Sequence, residues 1–92
     1  MSILRIVKRY PNWGMYEAVS ATLDFEHDHP PGLIMHGAAE ADDGMIQIAQ
    51  VWDSEEYARR FDEERLMPAL EAVGAPLDAE IRIFELHHLV TP

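Results

Sequence analysis

Residues 32–70 constrain the fold more than any other part of the chain. Apolar residues with high strand propensity occupy 33–41 and 45–52, and Asp42-Asp43-Gly44 separates the two runs. An Asp-Gly pair between two such runs is typical of a β-hairpin. The hairpin is followed by apolar residues at helical spacing, so the stretch predicts a strand, a turn, a strand and a helix.

The remaining elements follow from the same spacing arguments. They are a strand over 2–10, a helix over 13–25 capped at Asn12, a loop over 27–32, a helix capped at Asp53 or Ser54, and a strand over 80–90. Pro68 lies inside the second helix and predicts a break or kink near Met67. The order βαββαβ predicts one ferredoxin-like α+β domain over 1–92, in which both helices cover one face of a four-stranded antiparallel sheet.

Composition narrows the classes of partner. The net charge is −10, from 17 acidic and 7 basic residues, which argues against nucleic acid and against an anionic membrane surface. No apolar run reaches the length of a membrane span, and no signal peptide is visible, so we expect a cytoplasmic protein. Without cysteine, the chain can form neither disulfides nor thiolate metal sites.

Both faces of the predicted sheet are apolar. The strand over 45–52 presents Ala49 and Val51 on one side and Ile46 and Ile48 on the other. A face that met water would be polar, so the face without helices must also be covered. We expect a second copy to cover it in a homodimer, and a different protein partner is the alternative.

The element order, the length and the two apolar faces resemble the dimeric α+β barrel superfamily, which includes the antibiotic biosynthesis monooxygenase-like proteins and many small bacterial domains. The resemblance rests on the stretch GLIMHGAAEADDGMIQIAQVWDSEEYARRFDEERLMPAL and on IFELHHLV near the end. It implies a small-molecule pocket for an aromatic or polyketide-like substrate. It also implies chemistry that needs no metal or flavin, so we expect no cofactor.

His36 is the first candidate for chemistry, as a general base or a ligand donor, and the alternative is a hydrogen-bonded core histidine. Its partner depends on the hairpin. A two-residue turn pairs His36 with Val51, whereas a three-residue turn with a bulge pairs it with Gln50. In the second register Trp52 shares a face with His36 and Gln50, which predicts an apolar pocket with a few polar groups.

His87 is the second candidate base, because Glu85 lies two residues away on the same face of the predicted strand and would raise its basicity. We expect His87, rather than His88, to face the dimer side. The alternative is a solvated pair at a sheet end. Arg5 and Arg82 could hold an acidic ligand group, but a salt bridge at the rim with Glu80 or Glu85 is the preferred interpretation.

Two further clusters are interpreted as solvated. The loop His27-Asp28-His29 lacks the further ligands that a metal site needs, so we predict no metal. The run Asp62-Glu63-Glu64 is expected on an exposed helix face, paired with Arg59 and Arg60.

Two hypotheses follow. The first is an enzyme whose base is His36 or His87 and whose ligand-binding residues are Gln50, Trp52, Glu85 and Tyr10, with Trp13 also near the pocket. The second is a non-catalytic dimeric module that binds a small apolar or aromatic ligand or another protein.

Overall fold

A four-stranded antiparallel sheet forms the centre of the computed structural model, which describes residues 1–91. The strands are β1 (Ile3–Tyr10), β2 (Leu33–Glu40), β3 (Ile46–Trp52) and β4 (Glu80–Glu85). Their order in the sheet is β2-β3-β1-β4, and every pairing is antiparallel. This arrangement confirms the ferredoxin-like fold predicted from the sequence.

The helical layer begins with α1 (Trp13–Leu23). The Asn12 side chain caps α1 by accepting a 2.8 Å hydrogen bond from Met15 N. The second helical stretch consists of α2 (Glu55–Phe61), a π-helical turn (Asp62–Leu66) and α3 (Met67–Val73). Of the two cap candidates, Ser54 caps α2 through Tyr57 N at 3.4 Å.

The π-helical turn is the irregularity predicted near Met67. Pro68 has no backbone N–H and clashes with an ideal preceding helical turn. The wider turn over Asp62–Leu66 ends directly before Met67, so the helical stretch continues past the proline. The first residue of this turn, Asp62, contacts the sheet through a hydrogen bond from Arg5.

The hairpin has the three-residue turn. Ala41 N donates to Met45 O at 2.8 Å, and Gly44 has a φ of 85° that favours glycine. Of the two registers considered, the structure therefore has the one that pairs His36 with Gln50. Side chains paired in this way point to the same side of the sheet.

A second irregularity lies at the end of β1, where the register shifts between Lys8 and Tyr10. Strand alternation predicts that Arg9 and Tyr10 point to opposite faces. The bulge instead leaves both side chains buried on the helix-covered side, because a bulged pair no longer alternates.

The fourth strand is shorter than predicted, because it ends at Glu85 instead of continuing to residue 90. Its last residue, Glu85, pairs with Ile3 at the start of β1, and beyond this pair Leu86 N donates to Ser2 O at 2.9 Å. His87 and His88 therefore lie outside the sheet ladder.

The core lies between the helices and the side of the sheet that carries Val7, Ile46, Ile48 and Trp52. The opposite side keeps exposed apolar side chains, among them Met35 and Phe84. Within residues 1–91, none of the helices combines the length and apolar composition needed to cross a bilayer.

Candidate functional site

A hydrogen-bonded group of polar side chains lies under the helices at the centre of the sheet. His36 on β2 and Gln50 on β3 are directly paired, and Gln50 Nε2 lies 3.2 Å from His36 Nδ1. Tyr16 on α1 reaches down from the helical layer, so that its hydroxyl lies 2.9 Å from His36 Nε2. Helix and sheet thus hold the imidazole from both sides.

The orientation of the Gln50 amide determines which nitrogen of His36 carries the proton. Gln50 Oε1 accepts from Arg5 Nε at 3.2 Å, Arg5 Nη2 at 3.0 Å and Trp52 Nε1 at 3.0 Å. Since these are all donors, the amide nitrogen must face His36 Nδ1, which can then only accept. Neutral His36 therefore carries its proton on Nε2 and donates it to Tyr16. The hydrogen of the Tyr16 hydroxyl remains available for a ligand.

Burial reinforces the neutral state of His36. Desolvation lowers the pKa of the imidazole below its ordinary value. A protonated Nδ1 would also face the Gln50 amide hydrogens, so the same contact disfavours the charged form. The site holds an uncharged histidine at neutral pH, which is the state that a general base requires.

Arg5 is neutralised within the fold. Arg5 Nη1 and Nη2 donate to the two carboxylate oxygens of Asp62 at 2.7 Å and 3.0 Å. The preferred interpretation of a rim salt bridge with Glu80 or Glu85 is therefore wrong for Arg5, and Asp62 does not lie on a solvated helix face with Glu63. Arg59 makes the predicted helix pair with Glu63, whereas Arg60 approaches Glu56 at 3.9 Å instead of the predicted run.

A small inner cavity of about 30 Å³ lies beside this network. Such a volume holds roughly one or two water molecules. Apolar side chains from both layers, including Val19, Phe25 and Ile48, form most of its wall. The polar groups that line it are His36, Gln50, Tyr16, Tyr10, Ser20, Arg5 and Arg9.

A larger open groove of about 630 Å³ lies outside the inner cavity, between α1 and β2. This volume is in the range of small-molecule sites. The groove and the inner cavity share Tyr16, Ser20, Phe25 and His36, which separate the two spaces. A ligand in the groove would therefore meet the Tyr16–His36 pair before reaching the inner cavity.

Arg9 differs from Arg5 in having no ionic partner. Its side chain is buried and lines the inner cavity, but Nε has no hydrogen-bond partner and no carboxylate lies within 4.0 Å among residues 1–91. The adjacent Tyr10 is buried, and burial raises the pKa of its hydroxyl, although the charge of Arg9 and a hydrogen bond from Arg9 partly oppose that effect. Tyr10 therefore stays neutral and leaves the Arg9 charge uncompensated.

The predicted site residues separate into two groups. His36, Gln50, Trp52 and Tyr10 come together around the inner cavity or its network. Glu85 and His87 are exposed and belong to the opposite edge of the sheet, because β2 and β4 are its two edge strands. Within one chain, the two candidate bases therefore do not share a site.

The loop histidines are engaged locally. His27 Nδ1 lies 2.8 Å from Asp24 Oδ1, and His29 Nε2 donates to Leu33 O at 2.6 Å. No group of three His, Asp or Glu side chains within residues 1–91 is placed to hold a metal ion.

Three contributors were not assigned to the site from the sequence. Tyr16 falls within the helix predicted over 13–25 and Arg9 within the strand predicted over 2–10, with no further role for either, and Asp62 was predicted on an exposed helix face. Their roles depend on contacts across the fold. The sequence contains one indication that Arg9 is buried, because it lies between Val7 and Tyr10 in a strand whose other residues are largely apolar.

No protein-family profile matches the chain, and no curated protein matches it. Solved structures do match. A variant of SnoaB, a cofactor-independent oxygenase from Streptomyces nogalater, aligns with a TM-score of 0.70 at 15% identity and covers 99% of this chain and 98% of that one. A candidate antibiotic biosynthesis monooxygenase from Caulobacter crescentus aligns with a TM-score of 0.72 at 12% identity, covering 95% and 91%.

A third match is a candidate antibiotic biosynthesis monooxygenase from Chloroflexus aurantiacus, with a TM-score of 0.61 and 20% identity over 99% of this chain and 100% of that one. Identities this low establish architecture and leave activity open. They confirm the resemblance proposed from the sequence at that level: the chain has the α+β fold of the antibiotic biosynthesis monooxygenase-like proteins.

Proposed function

We propose that the protein binds an aromatic or polyketide-like small molecule in the groove between α1 and β2, and that it oxygenates this molecule without a cofactor. The observation that carries the proposal is the neutral His36, which is buried, held by Tyr16 and Gln50, and placed at the floor of a ligand-sized groove. The likeness in fold to SnoaB supports the class of reaction.

The proposed reaction needs a base and an electron-rich substrate. The base removes a proton from the substrate, and the resulting carbanion passes one electron to O₂. The substrate radical and superoxide then combine to a peroxide anion, which takes back the proton from the base to become a hydroperoxide. The hydroperoxide loses water, with the second hydrogen of the same carbon, to leave a carbonyl group. The protein's part is to deprotonate the substrate and orient it in a water-poor site.

His36 is the proposed base. A substrate hydroxyl or acidic C–H takes the place of the Tyr16 hydroxyl at Nε2. His36 then needs its own proton on Nδ1, so the Gln50 amide must release its hydrogen bond. At 3.2 Å that bond lies at the long end of the usual range, which makes it the contact to exchange. His87 could contribute only from a second copy of the chain.

Anthrone, a tricyclic carbon acid that O₂ converts to anthraquinone and water, is a suitable probe. We expect the protein to accelerate O₂ uptake above the spontaneous rate. Removing the base in His36→Asn should lower the catalysed rate by roughly 10²–10⁴-fold. The matched control is His88→Asn, at an exposed position outside the sheet. Binding of anthrone without accelerated O₂ uptake would favour the non-catalytic alternative.

The face of the sheet without helices supports the second part of the proposal, a homodimer. Ala49 lies on this face at the centre of the sheet, where it pairs with Ile6 on β1 and Gly37 on β2. Exposed apolar side chains such as Met35 and Phe84 flank it. A second copy would remove this surface from water. Native mass spectrometry should find a dimer for the wild type and a monomer for Ala49→Glu.

A further inference from the structure

The uncompensated charge of Arg9 is the feature of the cavity that the proposed reaction does not use. An isolated buried charge costs several kcal/mol in free energy of folding, and most proteins pair or neutralise it. The chain has ample acid, with 17 acidic residues against 7 basic ones, and β1 shows such pairing four residues earlier, between Arg5 and Asp62. Yet in residues 1–91 no carboxylate lies within 4.0 Å of Arg9.

The buried charge of Arg9 lies at the wall of the inner cavity. Arg9 is 7% exposed and lines the inner cavity, beyond the Tyr16–His36 pair as seen from the groove. The inner cavity has room for one or two water-sized groups, such as the oxygens of a carboxylate or a phenolate, rather than for a ring system. A ligand whose body fills the groove, and which displaces the Tyr16 hydroxyl from His36 as proposed above, can therefore place one small polar group beside Arg9.

We propose that Arg9 is an anion-binding residue that selects ligands with one ionised oxygen group, a carboxylate or a phenolate, at the end that enters the inner cavity. Guanidinium donors bind such oxygens through charge-assisted hydrogen bonds. This inference rests on the proposed small-molecule function of the groove but does not require catalysis.

The outer groove adds a second element of selection. Its walls include Glu17, Asp24 and Glu26, so negative charge surrounds its mouth while positive charge lies inside. A ligand with several negative charges is repelled there. The arrangement favours a ligand with a neutral body and a single acidic group, which can enter protonated and ionise next to Arg9.

The test uses three naphthalene probes of similar size in calorimetric binding experiments: 2-naphthoate, neutral 2-naphthamide and 2-naphthol. For the wild type we expect 2-naphthoate to bind about tenfold more tightly than 2-naphthamide, which is the usual scale for a charge-assisted contact. Arg9→Gln should remove this difference and leave the affinity for 2-naphthamide unchanged. Arg59→Gln is the control at an exposed arginine.

The third probe identifies the source of the anionic oxygen. The absorption band of the naphtholate ion, seen on binding to the wild type at neutral pH and lost in Arg9→Gln, supports a phenolate. A preference for 2-naphthoate without that band supports a carboxylate. Equal binding of 2-naphthoate and 2-naphthamide by the wild type, with no naphtholate band, overturns the role of Arg9 but leaves the groove as a ligand site. If none of the three probes binds, both proposals fail.

Thermal stability separates this role from a structural one. If Arg9 only supported the fold, Arg9→Gln would lower the melting temperature. We expect the melting temperature to stay the same or rise, because the substitution removes an unpaired buried charge. A clear fall in melting temperature together with an unchanged preference for 2-naphthoate contradicts the proposal.

Discussion

The ion pair between Arg5 and Asp62 joins the sheet to the second helical stretch. Removing the charge of Asp62 therefore tests how much this pair contributes to the stability of the fold. In Asp62→Asn the Arg5 guanidinium keeps its hydrogen bonds to Gln50 but loses its counter-charge. The Arg5 side chain is only 5% exposed and cannot turn to water, whereas Asp62 is 29% exposed.

The exposed fractions of Arg5 and Asp62 determine how much folding stability we expect Asp62→Asn to lose. Breaking a fully buried pair by removing one partner costs about 3–5 kcal/mol, since the other charge remains desolvated. Water can reach the Asp62 side of this pair and partly replace the carboxylate, so we expect about 2 kcal/mol. A domain of this size has a total stability of roughly 5–14 kcal/mol, so the loss should be plain in a urea titration.

The measurement is the urea midpoint at fixed protein concentration, because subunit association would add to the apparent stability. The slope of the transition should stay constant. Glu63→Gln is the matched control, since it removes an exposed ion pair with Arg59 from the same helical stretch and should leave the midpoint unchanged. An Asp62→Asn midpoint equal to that of the control would refute the argument. The double variant Arg5→Met, Asp62→Leu should recover much of the loss.

Three further outcomes follow from the same geometry. Gly32→Ala should lower stability by roughly 2–3 kcal/mol in urea titrations, because Gly32 has a φ of 83° and an added Cβ would overlap the Tyr57 ring. Because the pKa of His36 is lowered in the folded protein, the imidazole of the unfolded chain takes up its proton at a higher pH. The free energy of unfolding should therefore fall as the pH drops below about 6.5, by at most about 1.4 kcal/mol per pH unit until the folded-state pKa is passed. His36→Asn should remove that contribution. Gln50→Glu places a carboxylate opposite Nδ1 and should raise the pKa of His36 in an NMR titration, and an unchanged pKa would contradict the contact between residue 50 and His36.

The parts of the site that depend on local rules could be predicted from the sequence. Asp42-Asp43-Gly44 limited the hairpin to two registers, and one of them pairs His36 with Gln50 beside Trp52. Both turns place Gly44 in the left-handed region, so the choice between the registers depends on Asp43, which would also be left-handed in the two-residue type I′ turn and is not in this structure. Capping residues and the position of Pro68 likewise indicated where the helices begin and where the second one changes geometry.

The parts that were missed depend on contacts between distant segments. Arginines lie near Asp62 on the same helical stretch, so the sequence predicted a local ion pair for this carboxylate. Its partner in the structure is instead Arg5, 57 residues away. The side on which Tyr10 lies depends on a bulge in β1, and no residue type in that strand requires one. The early end of β4 reflects where β1 begins and not the composition of residues 86–90, which has the apolar character of a strand.

Arg5 and Arg9 lie on the same face of β1 and are buried to a similar extent, so their surroundings can be compared directly. Arg5 meets Asp62 and Gln50, and through Gln50 it fixes the tautomer of His36, so its charge is used in holding the site together. Arg9 has no carboxylate partner in the described chain, its Nε has no hydrogen-bond partner, and it lines a cavity too small for a ring but large enough for an oxygen group. Burial costs both charges alike, and the proposed anionic ligand group would compensate Arg9 as Asp62 compensates Arg5. Because their partners differ, Arg5 holds the site together, and Arg9 is the arginine that we expect the ligand to contact.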